Sequence, residues 1–399
     1  MNADDVLQQY SRFVIGNYKR VPVIVDRAQG STFWDVTGKK YIDLFPGWGC
    51  SLIGHCHPAV VEAIRRQAER LIHVDNTFYT PEQGRFAQML SERSFGGKCF
   101  FCNSGAEANE AAIKTARRHA GNGRYKIITM EKSFHGRTYG GMSATAQSRI
   151  HSGFEPLLPG FTYVPFDDVD AVAAAVDDET AAIMLEPIQG EGGVNIPADD
   201  YLPRLRDLCD DRNLLLILDE VQTGCGRTGR WFGYQHTNVE PDILTLAKAL
   251  GGGGPLGAMI ARPEVAEALA PGTHASTFGG NSLMISAGIA TFETIETEGL
   301  LERAVRIGQT IADRIHEMRS RFAFIESVRH RGAMIGVQLS VPGAAVVSTA
   351  LELGLRINCT QNTVLRMLPA INISEDELNE GLDILGEALS RAESDLVSA

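Results

Sequence analysis

Short uninterrupted apolar runs alternate with helical stretches up to about residue 270, and this pattern constrains the fold more than any other feature of the chain. Lys126–Met130 and residues 182–185 and 214–218 are too short for helices and lack polar alternation, so they read as strands buried on both faces. Between them lie helical stretches such as the one opened by Pro58, whose apolar spacing continues to Leu71 and Ile72. Strand–helix alternation predicts an α/β chain, a mostly parallel sheet with helices on both faces. Such sheets bind ligands at the strands' carboxyl ends, which puts Asp219, directly after the run 214–218, at the mouth.

The remainder reads as a smaller α+β unit. It has a long helix near 300–321, short strands at 333–339 and Val364–Met367, and a last helix capped by Ser374 with Glu377 three residues on. At 399 residues the chain is long enough for a major and a minor domain. The expected division is an N-terminal segment 1–60, a large domain 61–285 and a small domain 286–399.

The charge balance, 37 basic against 49 acidic residues, argues against a nucleic-acid partner. No apolar run approaches the ~18 residues of a membrane span, and the start Met1-Asn2-Ala3-Asp4-Asp5 lacks a basic region leading into an apolar one. The seven cysteines form an odd set without disulfide-framework spacing, so a cytoplasmic protein with reduced thiols is expected. No metal site is expected either. Cys99 and Cys102 have ligand spacing but sit in an apolar stretch without a second pair, and His55, Cys56 and His57 are no stronger. Gly224 to Gly229 fits the dinucleotide fingerprint, yet Arg230-Trp231-Phe232-Gly233 follows instead of a helix, so the segment reads as a loop.

The chemistry-bearing residues gather around Asp219. Lys248 lies on a segment ending in four glycines, Gly251 to Gly254. A buried carboxylate and a loop lysine are what a pyridoxal phosphate enzyme needs: an anion to keep the pyridinium nitrogen protonated and an amine to hold the aldehyde. If Asp219 reaches the ring nitrogen, Gln222 is placed to reach the phenolic oxygen on the opposite edge. Ser104, Gly105 and Ala106 precede a run, 108–119, that favours helix, and so offer free N–H groups to a phosphate.

Six segments carry a family resemblance: 103–112, Phe134-His135-Gly136-Arg137-Thr138, 185–193, 218–229, 246–259 and Ser276-Thr277-Phe278-Gly279-Gly280-Asn281. In this order they resemble the signatures of class III pyridoxal-phosphate-dependent aminotransferases, and within that class most the acetylornithine branch, with ornithine and 4-aminobutyrate enzymes as close relatives. The resemblance implies the PLP-dependent transferase fold type I, pyridoxal 5′-phosphate on Lys248 and Asp219, and Phe134 stacked on its ring. It also implies two small-molecule substrates, an amino donor and 2-oxoglutarate. Arg137 would take the oxo acid's distal carboxylate and Arg366 the one beside the reacting carbon, with Glu191 covering Arg366 when the donor has none there. Thr277 resembles a residue that reaches the phosphate of a neighbouring subunit, implying a homodimer with shared sites, and Ser276, Tyr18 and Trp48 are further substrate-side positions. Two departures stand out. Ala106 occupies a position where many relatives carry threonine, and Trp48 one where ornithine enzymes carry tyrosine and acetylornithine enzymes an aliphatic residue. An aminomutase of the same cofactor class would need no oxo acid, and Arg137, Arg366 and Glu191 together favour the transaminase. Intact Lys248, Asp219 and Gln222 argue against a non-catalytic relative.

Overall fold

The computed structural model describes residues 3–398. Its centre is a seven-stranded sheet in the order Lys98–Cys102, Gly257–Ala261, Ile243–Leu246, Leu215–Asp219, Thr180–Leu185, Lys126–Met130, Phe161–Val164. Gly257–Ala261 runs antiparallel to both neighbours, and the pairs from Ile243–Leu246 across to Phe161–Val164 are all parallel. Every residue of Thr180–Leu185, Leu215–Asp219 and Ile243–Leu246 is buried, which is why these runs show no polar alternation. One apolar cluster runs from Leu218 in this sheet through Phe292 in the helix Ser282–Thr297 to Ile335 and Leu365 near the C-terminus.

The C-terminal part carries a four-stranded antiparallel sheet: Ile325–Arg331, Met334–Leu339, Val364–Met367 and Asn358–Thr360. A third sheet joins the two ends of the chain. Val25–Gln29, Thr32–Asp35 and Lys40–Asp43 form a meander whose last strand pairs in parallel with Leu355–Arg356. Val25–Gln29 is almost entirely exposed and gives no apolar signature, so composition alone does not announce it.

Element boundaries differ from the sequence expectation in places. The helix opened by Pro58 ends at Ala68, not near Ile72. There the chain folds back: Gln67 accepts the N–H of Leu71 and returns its own side-chain amide to the Leu71 carbonyl at 2.9 Å, while Ile72 is exposed. The alanine-rich helix spans Gly105–Ala120 and starts earlier than its propensity suggests, because Ser104 caps it by accepting the Glu107 N–H at 3.2 Å. The last helix, Glu375–Ser398, has the expected capping box. Ser374 Oγ accepts the Glu377 N–H and Glu377 Oε2 accepts the Ser374 N–H, both at 3.2 Å. Among the described residues, no helix is long and apolar enough to cross a membrane.

Candidate active site

Five strands of the central sheet point their carboxyl ends at one cavity of about 510 Å³, a size typical of small-molecule sites. Ser104 follows Lys98–Cys102, Phe134 follows Lys126–Met130 and Glu186 follows Thr180–Leu185. Asp219 ends its own strand, and Lys248 lies two residues past Leu246. Burial of the strands thus fixes where the polar side chains emerge.

Asp219 is 3% exposed and its carboxylate is tightly held. Oδ2 accepts from Asn109 Nδ2 at 2.7 Å and meets His135 Nδ1 at 2.8 Å, while Oδ1 accepts from the Val221 N–H at 3.0 Å. A carboxylate only accepts, so Nδ1 carries the imidazole proton in this pair. Asn109 is oriented in turn by Thr245, whose hydroxyl donates to its Oδ1 at 2.7 Å, and the His135 N–H donates to Thr145 Oγ1 at 2.8 Å. Glu186 is buried beside this network. Burial pushes its carboxyl up to about 7; the charge of Asp219 adds to the rise, and His135 and the N–H groups of Gly190 and Phe134 oppose it.

Lys248 opens the turn Lys248–Gly251 with φ +47, a left-handed conformation that non-glycine residues adopt at a cost of about 1–3 kcal/mol. Desolvation lowers its ammonium below the usual lysine range. Glu191 opposes that shift and Arg366 adds to it. Arg366 is fully buried in Val364–Met367, and its Nη1 meets Glu191 Oε1 at 2.7 Å, close enough for the charges but off the line of a good hydrogen bond. Nη2 donates to Asn358 Oδ1 at 3.1 Å, Nε has no partner, and the guanidinium lies 5.0 Å from the Phe45 ring and 5.8 Å from that of Trp48. Burial raises the Glu191 carboxyl, but Arg366 more than offsets this and the net shift is downward.

Lys248, Asp219, Gln222, Ser104, Gly105, Ala106, Phe134, Glu191 and Arg137 all line the cavity. The other sequence candidates do not line it. Arg366 reaches it through Glu191, and Ser276 touches its edge by accepting from Asn103 Nδ2 at 3.3 Å. Thr277 is exposed, and Tyr18 is 69% exposed with the Arg20 guanidinium over its ring. Trp48, 50% exposed, lines a neighbouring cavity of about 290 Å³. Cys50, Asn109 and Glu186 are among the lining residues that had no role in the sequence reading. Asn109 did carry a signal, a polar residue on the inner face of an alanine-rich helix, though not its partner.

The residues present fit pyridoxal 5′-phosphate. Gln222 Oε1 is buried without a protein partner and waits for a polar group. The helix Gly105–Ala120 aims its first N–H groups at the cavity, and Gly136 approaches so closely that a Cβ there would lie 3.1 Å from that of Ala106. An acid, free N–H groups and a lysine lining one cavity suit the cofactor's ring nitrogen, phosphate and aldehyde.

Comparison with known proteins agrees along the whole chain. Residues 14–389 match the family profile described as Aminotransferase class-III. An acetylornithine aminotransferase of Caldanaerobacter subterraneus subsp. tengcongensis is 47% identical over 95% of this chain and 98% of its own length. One of Methanocaldococcus jannaschii is 46% identical over 98% and 99%. Among solved structures, the ornithine aminotransferase of Toxoplasma gondii superposes with TM-score 0.94 at 35% identity over 99% of this chain and 96% of that one. The acetylornithine aminotransferase of Elizabethkingia anophelis gives 0.87 at 31%, over 98% and 100%. With Lys248, Asp219 and the cavity-facing helix start at one sheet mouth, the chain belongs to the class III aminotransferases, which work through pyridoxal 5′-phosphate.

Proposed function

We propose that this enzyme moves the terminal amino group of N2-acetylornithine to 2-oxoglutarate, giving N-acetylglutamate 5-semialdehyde and glutamate, with the related succinylated diaminopimelate precursor as a second donor. The observation that carries the reading is the Glu191–Arg366 pair beside Lys248. An arginine buried behind the cavity, with a cavity-lining carboxylate that can leave it, suits a site that meets two partners in turn. One, the oxo acid, has a carboxylate beside its reacting carbon; the other, a terminal amine, has none. The acetylornithine relatives at 44–47% identity support the donor.

When bound, the cofactor supplies an aldehyde that takes up the amino group and a ring that spreads carbanion charge. The chain does the rest. Gly105, Ala106 and Ser104 would hold the phosphate, Phe134 the ring face and Gln222 the phenolic oxygen. Asp219, oriented by Asn109 and His135, keeps a proton on the ring nitrogen. Lys248 Nζ would be the amine that holds the cofactor's aldehyde. Desolvation favours the neutral form of Lys248, so Nζ would be able to take the proton from the donor's reacting carbon and act as the acid–base group of the site. Arg137 binds the distal carboxylate of the oxo acid. Arg366 binds the near one once Glu191 swings away, and Glu191 returns for the donor.

A homodimer with shared sites completes this reading. Asn76 ties its segment to the 276–279 loop by donating to the carbonyls of Ser276 and Gly279, at 3.2 and 2.8 Å. These joined segments present Phe78, Tyr79 and Phe278, each more than half exposed, beside Thr277 at the cavity rim. A second copy seated there would bring its Thr277 toward this phosphate site. Seven free thiols support a reducing compartment, the cytoplasm. The test is a donor panel with 2-oxoglutarate that compares N-acetylornithine, ornithine, 4-aminobutyrate and lysine by glutamate formed. N-acetylornithine is expected to lead, and ornithine far outpacing it would overturn the donor assignment.

A further inference from the structure

Glu186 is 5% exposed and forms part of the cavity wall, yet none of the steps above uses it. Its two carboxylate oxygens serve two separate stretches of main chain. Oε2 accepts the N–H of Phe134 at 3.1 Å, and Oε1 accepts the N–H of Gly190 at 3.0 Å. The first stretch carries the ring that faces the cofactor; the second leads directly into Glu191. Gly190 is also pressed against Gln222, because a Cβ there would lie 2.2 Å from Gln222 Oε1. On its far side, the Glu191 carbonyl accepts from Thr360 Oγ1 at 2.6 Å and Gln361 Nε2 at 2.8 Å. The main chain on both sides of Glu191 is therefore anchored, and the side chain is what remains to move.

We infer that Glu186 is a positioning residue whose single carboxylate fixes the main chain of Phe134 and of Gly190 together, setting the ring contact and the Glu191 gate from one point. The inference rests on the reading that Phe134 lies on the ring and that Glu191 covers Arg366. A carboxylate suits the task because it offers two acceptors and no donor. Glutamine keeps one acceptor and turns its NH₂ toward an N–H, and aspartate, one methylene shorter, spans only one of the two bonds. Losing such a buried bond leaves an N–H unpaired, which raises local opening.

The test uses holoenzyme at pH 8, where the Glu186 carboxyl, held near 7, is mostly ionised. In Glu186→Gln, which keeps one acceptor, hydrogen exchange is expected to rise about tenfold or more in at least one of the peptides holding Phe134 and Gly190. Rapid-mixing absorbance should also show the ratio of donor to 2-oxoglutarate half-reaction rates falling by about fivefold, toward that of Glu191→Ala. A residue acting only on overall stability would lower both half-reactions by one factor. Unchanged exchange in both peptides overturns the inference, as does equal slowing of both half-reactions while Glu191→Ala separates them. If Glu191→Ala fails to separate them, the gate reading is what fails, and exchange at the two peptides alone decides the role of Glu186. Should the glutamine variant not fold, Glu186→Asp is expected to free one of the two peptides, and protection of both would sink the inference.

Discussion

Arg227 and Arg366 are both almost fully buried, but the two regions that hold them treat the same charge differently. Arg227 sits in the turns after Leu215–Asp219, and its Nη1 donates to the carbonyls of Ala333 and Pro369 at 3.0 and 2.5 Å. Among the described residues its Nη2 has no partner and no carboxylate pairs with it. Burial pushes its guanidinium down to about 9, with only Cys50 pulling the other way. Arg366 instead has the Glu191 carboxylate, which is 17% exposed to the cavity, and the faces of two aromatic rings. The partners of Arg227 are main chain and cannot leave. The partner of Arg366 is a side chain on a glycine-flanked loop and can. One arginine therefore ties the central sheet to the C-terminal strands, and the other, on the proposed reading, is exchanged between protein and substrate.

The sharpest way to break that contrast is Arg227→Ala. Removing it unpairs two buried carbonyls and empties a guanidinium-sized space, at a cost of about 3–5 kcal/mol. Urea unfolding followed by fluorescence should show it, and a loss below about 1 kcal/mol would end the view of Arg227 as a tie. Arg366→Ala should spare the fold by comparison and strike the oxo acid. Its kcat/KM is expected to fall by about 10²–10³, and lysine should restore little because a point charge does not reproduce the fork. Similar loss with a donor that has no carboxylate would place Arg366 outside oxo-acid recognition.

Glu191→Ala is gentler and more diagnostic. Without its carboxylate, Arg366 stays unpaired while a terminal amine is bound, so the donor half-reaction should slow by about ten- to thirtyfold more than the glutamate half-reaction. Single-turnover absorbance traces measure both. Equal slowing would make Glu191 a fixture like the carbonyls of Arg227 and erase the distinction between the two regions.

How far these roles were legible in the sequence follows the same division. The buried strands were readable because they are apolar on both faces, and the end of the run 214–218 placed Asp219 at the sheet mouth; the helix after Ser104 was readable from propensity over 108–119 but starts earlier, at Gly105. Lys248, Gln222 and Glu191 followed from their motifs and do line the cavity. The exposed strand Val25–Gln29 and its sheet were not readable, because pairing with Leu355–Arg356 through the third strand is a long-range event without local signature. Asn109, Glu186 and Arg227 were missed for a related reason. Each is polar in a buried place, and what it bonds, whether Asp219, two separate N–H groups or two distant carbonyls, is set by tertiary packing.

Trp48 tests whether the surroundings of Arg366, and not its partner alone, set the choice of donor. Gly47 and Trp48 both adopt left-handed backbone, φ +55 and +60, which turns the indole edge-on to Phe45 with ring centroids 5.4 Å apart. From there it meets one side of the guanidinium while Phe45 meets another. A contact of this kind contributes about 0.5–1 kcal/mol at a half-exposed site, so the change is expected to be modest. Trp48→Tyr, the residue that ornithine enzymes carry by resemblance, should move the ratio of ornithine to N-acetylornithine turnover toward ornithine by about three- to fivefold. The KM for 2-oxoglutarate should change less, since that substrate is held through paired hydrogen bonds and not by the ring. An unchanged donor ratio would mean that Trp48 only packs against the arginine, as the protein around Arg227 does, and that donor choice is made elsewhere in the cavity.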